Sequence, residues 1–260
     1  MFSKKSLNDA WGSIVKNWIM WATYIICVAI VASDDVLCGL GTVSSLIGSA
    51  YFVHRYSHKE VNFFTALHHY HHENNNWFAY FSQIMIELLF GLVVIPGSYA
   101  GYAMHPWATM LFVLVYSSVH NVNYGLLKVN EVHARHHDSV HENVGPDVCD
   151  ILFQTKHGEA ENTTHYIPNI ILAAAITFFL KKLDVVRFHH LQVACGVGGL
   201  LYLAASWYVW TTIYSKRNDP TPQVSRERQK RRCKRRRRQM VSTARKSRRA
   251  PVRLEKANPF

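Results

Sequence analysis

Long apolar blocks separated by short polar stretches set the pattern of this chain. Residues 17–33 (NWIMWATYIICVAIVAS), 36–53, 77–95, about 103–119 and 191–214 each approach the ~20 apolar residues that cross a bilayer core. A shorter block, 166–180 (YIPNIILAAAITFFL), fits a sixth span, a re-entrant piece or an interfacial helix, and a span is the favoured reading. Pro96 and Gly97 predict a turn between the third and fourth blocks. The pattern predicts an all-α, polytopic membrane protein built on a transmembrane helical bundle. Its first block follows Lys4, Lys5 and Lys16 and lacks a small-residue cleavage site, so it reads as an anchor rather than a signal peptide.

The polar stretches carry histidines in an uneven distribution. HRYSH at 54–58, HHYHH at 68–72 and HARHH at 133–137, with His141, hold ten of the sixteen. On a helix, positions i, i+3 and i+4 share a face. His54 and His58 therefore form an inward pair, and His68/His71/His72 and His133/His136/His137 form two triplets, each able to converge on one point. Imidazole suits Zn, Fe, Cu or Ni. One ion takes three or four protein ligands, so eight histidines imply two metals.

His120, in SSVHNVNYG at the end of the fourth block, is expected to join the third box. His141 ranks lower, because the Asn-Val-Gly-Pro that closely follows it predicts the end of the helix. His69 sits one position off the shared face and is expected to face solvent. His105, His157, His165, His189 and His190 are scattered and read as ordinary solvated or core residues.

Span parity bears on the same site. Two apolar blocks lie between His72 and the third box, so the chain returns to the face it left and the boxes share one side. Lys4, Lys5 and Lys16 and the basic C-terminal segment favour the cytoplasmic side. With six spans, both termini and a His-rich helical cap are cytoplasmic, and Lys181, Lys182 and Arg187 fall on the opposite side.

The net charge of +12 is unevenly placed. Residues 216–260 hold 18 Lys/Arg and 3 acids, a net of 18 − 3 = +15, which leaves 12 − 15 = −3 for residues 1–215. The segment has little to bury, so a disordered polybasic tail is expected. Anionic lipid headgroups are its first expected partner, a protein such as an acidic electron donor the second. Nucleic acid ranks last, since no aromatic interleaving accompanies the charge. Cys27, Cys38, Cys149, Cys195 and Cys233 are scattered, without the pairing of a disulfide scaffold or a thiolate site.

The boxes and their order resemble the fatty acid hydroxylase/sterol desaturase superfamily of integral-membrane enzymes. H-R-x-x-H (His54 to His58), H-x-x-H-H (His68 to His72), a lone His120 two spans later, a second H-x-x-H-H (His133 to His137) and NVGPDVCDILFQT at 143–155 carry the likeness, over about residues 50–156. Val144 and Gln154 depart from the family's Asn-Tyr-Gly and Asp-x-x-Phe-Gly-Thr ending, which bears on the substrate pocket rather than the metals.

The resemblance implies a catalytic domain over 1–215 holding two non-haem iron ions through His54, His58, His68, His71, His72, His120, His133, His136 and His137. Asn121 and Asn123 stand where some members carry a further histidine, leaving an amide such as Asn123, a water or His141 to complete one ion. Glu87, Asp147 and Asp150 are candidates to accept from the imidazole N–H groups. The implied activity is O2-dependent hydroxylation or desaturation of a membrane lipid, with electrons from a separate donor such as cytochrome b5 or a reductase. In a eukaryote the implied location is the endoplasmic reticulum membrane. Zinc would satisfy the imidazoles but supplies no redox chemistry. The competing reading is a non-catalytic membrane protein with a structural metal site and a tethering tail.

Overall fold

The computed structural model describes residues 2–74, 76–99, 104–183 and 188–215, with side chains described outside 90–99 and 188–196. Among these residues all regular structure is helical. The helices are α1 (Lys4–Lys16), α2 (Trp18–Val31), α3 (Val36–Ser57), α4 (Ala66–Glu73), α5 (Trp77–Tyr99), α6 (Pro106–Ser118), α7 (Val132–Asp138), α8 (Asp147–Leu152), α9 (Ile167–Lys182) and α10 (Phe188–Val209). Wider π-helical turns at Val119–Leu126 and Trp210–Tyr214 extend α6 and α10, and a 3-10 turn at Thr163–Tyr166 leads into α9. The expected disordered tail at 216–260 lies outside the described residues.

Local signals start these helices where the sequence allows. Ser3 caps α1 by accepting from the Ser6 N–H at 3.0 Å, and Asp35 caps α3 by accepting from Cys38 N–H at 2.9 Å. Pro106 occupies the first turn of α6, where its missing N–H costs nothing.

Packing then joins α2, α3, α6 and α9 around Val28, Val31, Leu46, Leu111 and Ile170, all nearly inaccessible to solvent. Gly39 lets α3 pack tightly on the end of α2, since a Cβ there would lie 2.6 Å from the Ala32 Cβ. On the other side α5 packs against α4, α6 and α10.

Two helices are long and apolar enough to cross a membrane, Val36–Ser57 and the 20-residue Thr163–Lys182. They coincide with the expected blocks at 36–53 and 166–180. The first block is instead the 14-residue α2, which joins α1 at a 76° bend and makes a third span only if the bent pair counts as one. At about 1.5 Å per residue, the 13 residues of α6 reach only some 20 Å before the π-helical turn carries the axis onward. Trp77–Leu89 is a shorter apolar helix, and the rest of that block, like residues 191–196 of the last one, falls on undescribed side chains. The expected turn at Pro96 and Gly97 is not where the chain breaks, because α5 runs through both to Tyr99.

Candidate metal centre

Four short stretches of chain bring the histidines together. His54 lies in the last turn of α3 and His58 is its C-terminal cap. An Asx turn, in which Asn62 Oδ1 accepts from Phe64 N–H at 2.9 Å, reverses the chain into α4 with His68, His71 and His72. His120 stands on the π-helical turn after α6, and α7 carries His133, His136 and His137. Widened turns of this kind recur at functional sites because they rotate one side chain out of register.

Two groups of four ring nitrogens result. His54, His58, His68 and His72 place ligand atoms within 4.8 Å of one another, as do His71, His120, His133 and His137. His136 also belongs beside the first group, its Nε2 lying 3.1 Å from those of both His54 and His58.

The triplets therefore do not each converge on one point, as the spacing alone suggested. Within each H-x-x-H-H box the i, i+4 pair serves one group and the i+3 residue reaches across to the other. His71 crosses from α4 to the group of α7, and His136 crosses from α7 to the group of α4. Helical geometry explains the split: i+3 and i+4 residues flank the i position on opposite sides.

The spacing suits a metal. In the first group His58 Nε2 lies 3.0 Å from His68 Nε2, and in the second His133 Nε2 lies 2.9 Å from those of His120 and His137. With metal–imidazole bonds of about 2.0–2.1 Å, adjacent nitrogens of an octahedral shell stand about 2.8–3.0 Å apart and those of a tetrahedron about 3.3–3.4 Å. Both ring nitrogens of His71 and of His72 are buried without a protein partner, an arrangement that costs about 1–3 kcal/mol per group if left unmet. These buried histidine groups can hold a metal ion.

Acceptors behind the rings fix several tautomers. His120 Nδ1 donates to Glu87 Oε1, His68 Nδ1 to Gln83 Oε1 at 3.3 Å and His136 Nδ1 to the Glu142 carbonyl at 2.9 Å. A carboxylate or carbonyl only accepts, so the proton sits on Nδ1 and each Nε2 lone pair faces its group. Gln83 Nε2 in turn donates to Glu87 Oε1 at 2.9 Å, and Asn121 Nδ2 to Glu87 Oε2 at 2.6 Å. One turn of α5 thus braces both groups.

Burial, reinforced by neighbouring imidazoles, disfavours the charged form of seven of these rings. It holds His58 and His71 down to about 3 and His137 to about 4. His136 is also at about 4, its hydrogen bond to Glu142 opposing the burial. His68, His72 and His133 are lowered by burial in the same direction. Neutral rings are the form that ligates.

Other expected residues stand elsewhere. His141 is exposed and in neither group. Asn123 donates to the His165 carbonyl and to Asn169 Oδ1, both at 2.9 Å. Asp147 pairs with Lys156 at 2.5 Å and accepts from Ser13 Oγ at 3.0 Å, anchoring α1. Asp150 accepts from Val144 N–H, Gly145 N–H and Thr155 Oγ1 at 2.7–2.9 Å, closing the 143–155 loop, although burial pushes its carboxyl up to about 6. Neither acid touches an imidazole. His69 is half-buried rather than solvent-facing, its Nε2 enclosed.

Gln83 was missed by sequence reasoning, although its place one turn before Glu87 in an apolar block was the available signal. Tyr124 was missed too; its ring stacks on His133 with centroids 5.5 Å apart, and its hydroxyl donates to Glu161 Oε1 at 2.6 Å.

The groups open two ways. A largely apolar cavity of about 140 Å³ reaches His54, His120 and His133 between Met20, Ile47, Phe112, Val115 and Ile170. A second cleft, lined by polar side chains that include Lys128 and Glu131, borders His71, His72 and His137 and shares His120 and His133 with the cavity. No family model, curated protein or solved structure matches the chain.

Proposed function

We propose that the chain is a multi-pass membrane enzyme of the fatty acid hydroxylase/sterol desaturase type, hydroxylating or desaturating a membrane lipid with O2. The observation that carries the reading is the pair of adjacent four-histidine groups bordering an apolar cavity. The nine box and lone histidines would hold two iron ions, which when bound supply the oxidising power for an unactivated C–H bond that side chains lack. Hydroxylation consumes O2, two electrons and two protons per C–H and releases one water. Desaturation consumes the same and releases two.

The chain's own residues have three tasks in this reading. Glu87, Gln83 and the Glu142 carbonyl hold Nδ1 protons and aim Nε2 lone pairs. The aliphatic wall formed by Ile47, Val115 and Ile170 seats a hydrocarbon segment beside the rings and keeps water out. Tyr124, against His133 and hydrogen-bonded to both Glu161 and Tyr166, holds an exchangeable proton at the cavity edge.

Six spans with the His-rich cap on the cytoplasmic face complete the proposal, and in a eukaryote this places the enzyme in the endoplasmic reticulum. Electrons would come from a separate donor, cytochrome b5 or a reductase, through the polar cleft. The basic tail would rest on anionic headgroups.

Two measurements test the reading. Protein loaded anaerobically with ferrous iron should bind close to two ions per chain. Lipid extracts of cells expressing it should gain a species heavier by one oxygen or lighter by two hydrogens, absent with His136→Ala. Normal lipid products from that variant would refute the catalytic role, and a metal-bound chain with unchanged lipids would favour the structural-site reading.

A further inference from the structure

Helix α1 is amphipathic in the reverse of the usual sense. A helix of a soluble domain turns its apolar stripe inward, whereas α1 buries Ser6, Ala10 and Ser13 and leaves Leu7, Trp11 and Val15 outside, Trp11 at 66% exposure. Those three follow i, i+4, i+8 and form one stripe, which Trp18 extends at the start of α2, also exposed. A third sector holds Lys5, Asp9 and Lys16, all exposed.

The inner face is fixed in place. Ser13 Oγ donates to Asp147 Oδ2 at 3.0 Å, and Gln154 Nε2 reaches Ser6 Oγ at 3.4 Å. The 76° elbow into α2 is held at Asn17, which donates to the Ser13 and Glu161 carbonyls and accepts from Thr163 N–H at 2.8 Å. The stripe cannot rotate inward without breaking these buried bonds.

We propose that α1 is an interfacial helix, its Leu7–Trp11–Val15 stripe sunk in one leaflet of a bilayer and its lysines at the phosphates. Three observations select lipid as the occupant. The stripe continues into α2, which is apolar throughout, across a bend suited to a helix lying in the surface beside one that enters it. Trp sits preferentially at the membrane–water boundary, and Lys on the polar flank is the mark of helices that lie in that plane. Lys4, Lys5 and Lys16 against Asp9 give α1 a net of 3 − 1 = +2, which attracts anionic headgroups and repels the same helix of a second copy. The inference needs membrane embedding of the helices but not the oxidation chemistry. It has a bearing on the cavity, because Ser13 and Asn17 form part of its wall and would lie near headgroup level.

Photocrosslinking of the full chain in phosphatidylcholine/phosphatidylserine vesicles tests it, with p-benzoylphenylalanine replacing Leu7, Trp11 or Asp9 in turn. All three side chains are exposed, so folding is preserved, and an unchanged gel-filtration profile in detergent verifies this. Phospholipid adducts should form several-fold more at positions 7 and 11 than at 9. Equal yields at all three, or adducts joining two copies of the chain at 7 and 11, would overturn the proposal. Brominated lipid gives an independent reading: Trp11→Phe should shrink the quenchable share of tryptophan emission, and an unchanged share would contradict burial in the leaflet.

Discussion

His71 and His72 are neighbours on α4, with rings crossed at 83° and centroids 5.5 Å apart, yet they belong to different groups. Their single-residue offset predicts separable losses. His72→Ala should weaken metal binding in the group of His54, His58 and His68, and His71→Ala in the group of His120, His133 and His137. Under the two-ion proposal, each variant is expected to retain close to one metal per chain against close to two in the parent, as elemental analysis of purified protein would show. Loss of both metals from either variant would mean that the groups bind as one unit.

Glu87 sits behind His120 and accepts from Asn121 and Gln83 as well. Replacing it with glutamine keeps the shape but removes the charge that strengthens the His120 ring as a ligand. Loss of such a supporting group commonly costs about 10- to 100-fold in metal affinity. Competition with a chelator should show that loss for Glu87→Gln in the group of His120, with the His54 group little changed. Gln83→Ala should disturb both, since Gln83 contacts His68 Nδ1 at 3.3 Å and His120 Nδ1 at 3.4 Å, and also braces Glu87.

Much of this arrangement was legible in the sequence. Box spacing named eight of the histidines, the end of the fourth apolar block named His120, and the lone carboxylate in an apolar block named Glu87. The division of each box between two groups was not legible, because helical periodicity gives a face but not what stands on either side of it. Asp147 and Asp150 were misplaced for a related reason: a carboxylate near a histidine box in sequence can equally serve the loop that carries it, as Asp150 serves the N–H groups of Val144 and Gly145. Gln83 carries no charge and so raised no flag. Span boundaries erred where a short helix such as α2 turns sharply at Asn17 into an amphipathic neighbour.

The depressed histidines give the metal-free protein a defined acid sensitivity. Burial lowers His58 and His71 to about 3 and His136 and His137 to about 4, against an ordinary value of 6.5. Between those values the unfolded chain binds more protons than the folded one, so stability rises with pH across that window. The contribution is complete above about pH 6.5 and is lost as pH falls through 4. Thermal melting of metal-free protein in detergent should be flat from pH 7 to 8 and drop steadily below 6. A melting temperature that rose on acidification would show that these rings are not buried neutral.

Gln154 adopts φ of +59°, a region that side chains with a Cβ enter at a cost of about 1–2 kcal/mol. Gln154→Gly should relieve that strain, offset in part by the greater freedom glycine has when unfolded and by loss of the 3.4 Å contact with Ser6 Oγ. A net gain of up to about 1 kcal/mol is expected, read as a raised melting temperature, while the β-branched Gln154→Val should lower it. Equal melting of the two variants would mean that the loop relaxes to another conformation.

Val115 lines the cavity beside the histidines and is itself neither a ring nitrogen's partner nor a member of either histidine group. Enlarging it to phenylalanine fills part of a space of about 140 Å³ without altering a ligand, at an overpacking cost of about 1–3 kcal/mol. Under the lipid-oxidation proposal, Val115→Phe should keep full metal content but raise KM for long-chain lipid or move the position of oxidation along the chain. The two effects separate cleanly. Retained metal with changed product places the hydrocarbon in this cavity, whereas retained metal with unchanged product and KM would assign the substrate to the polar cleft beside His71 and His137 instead.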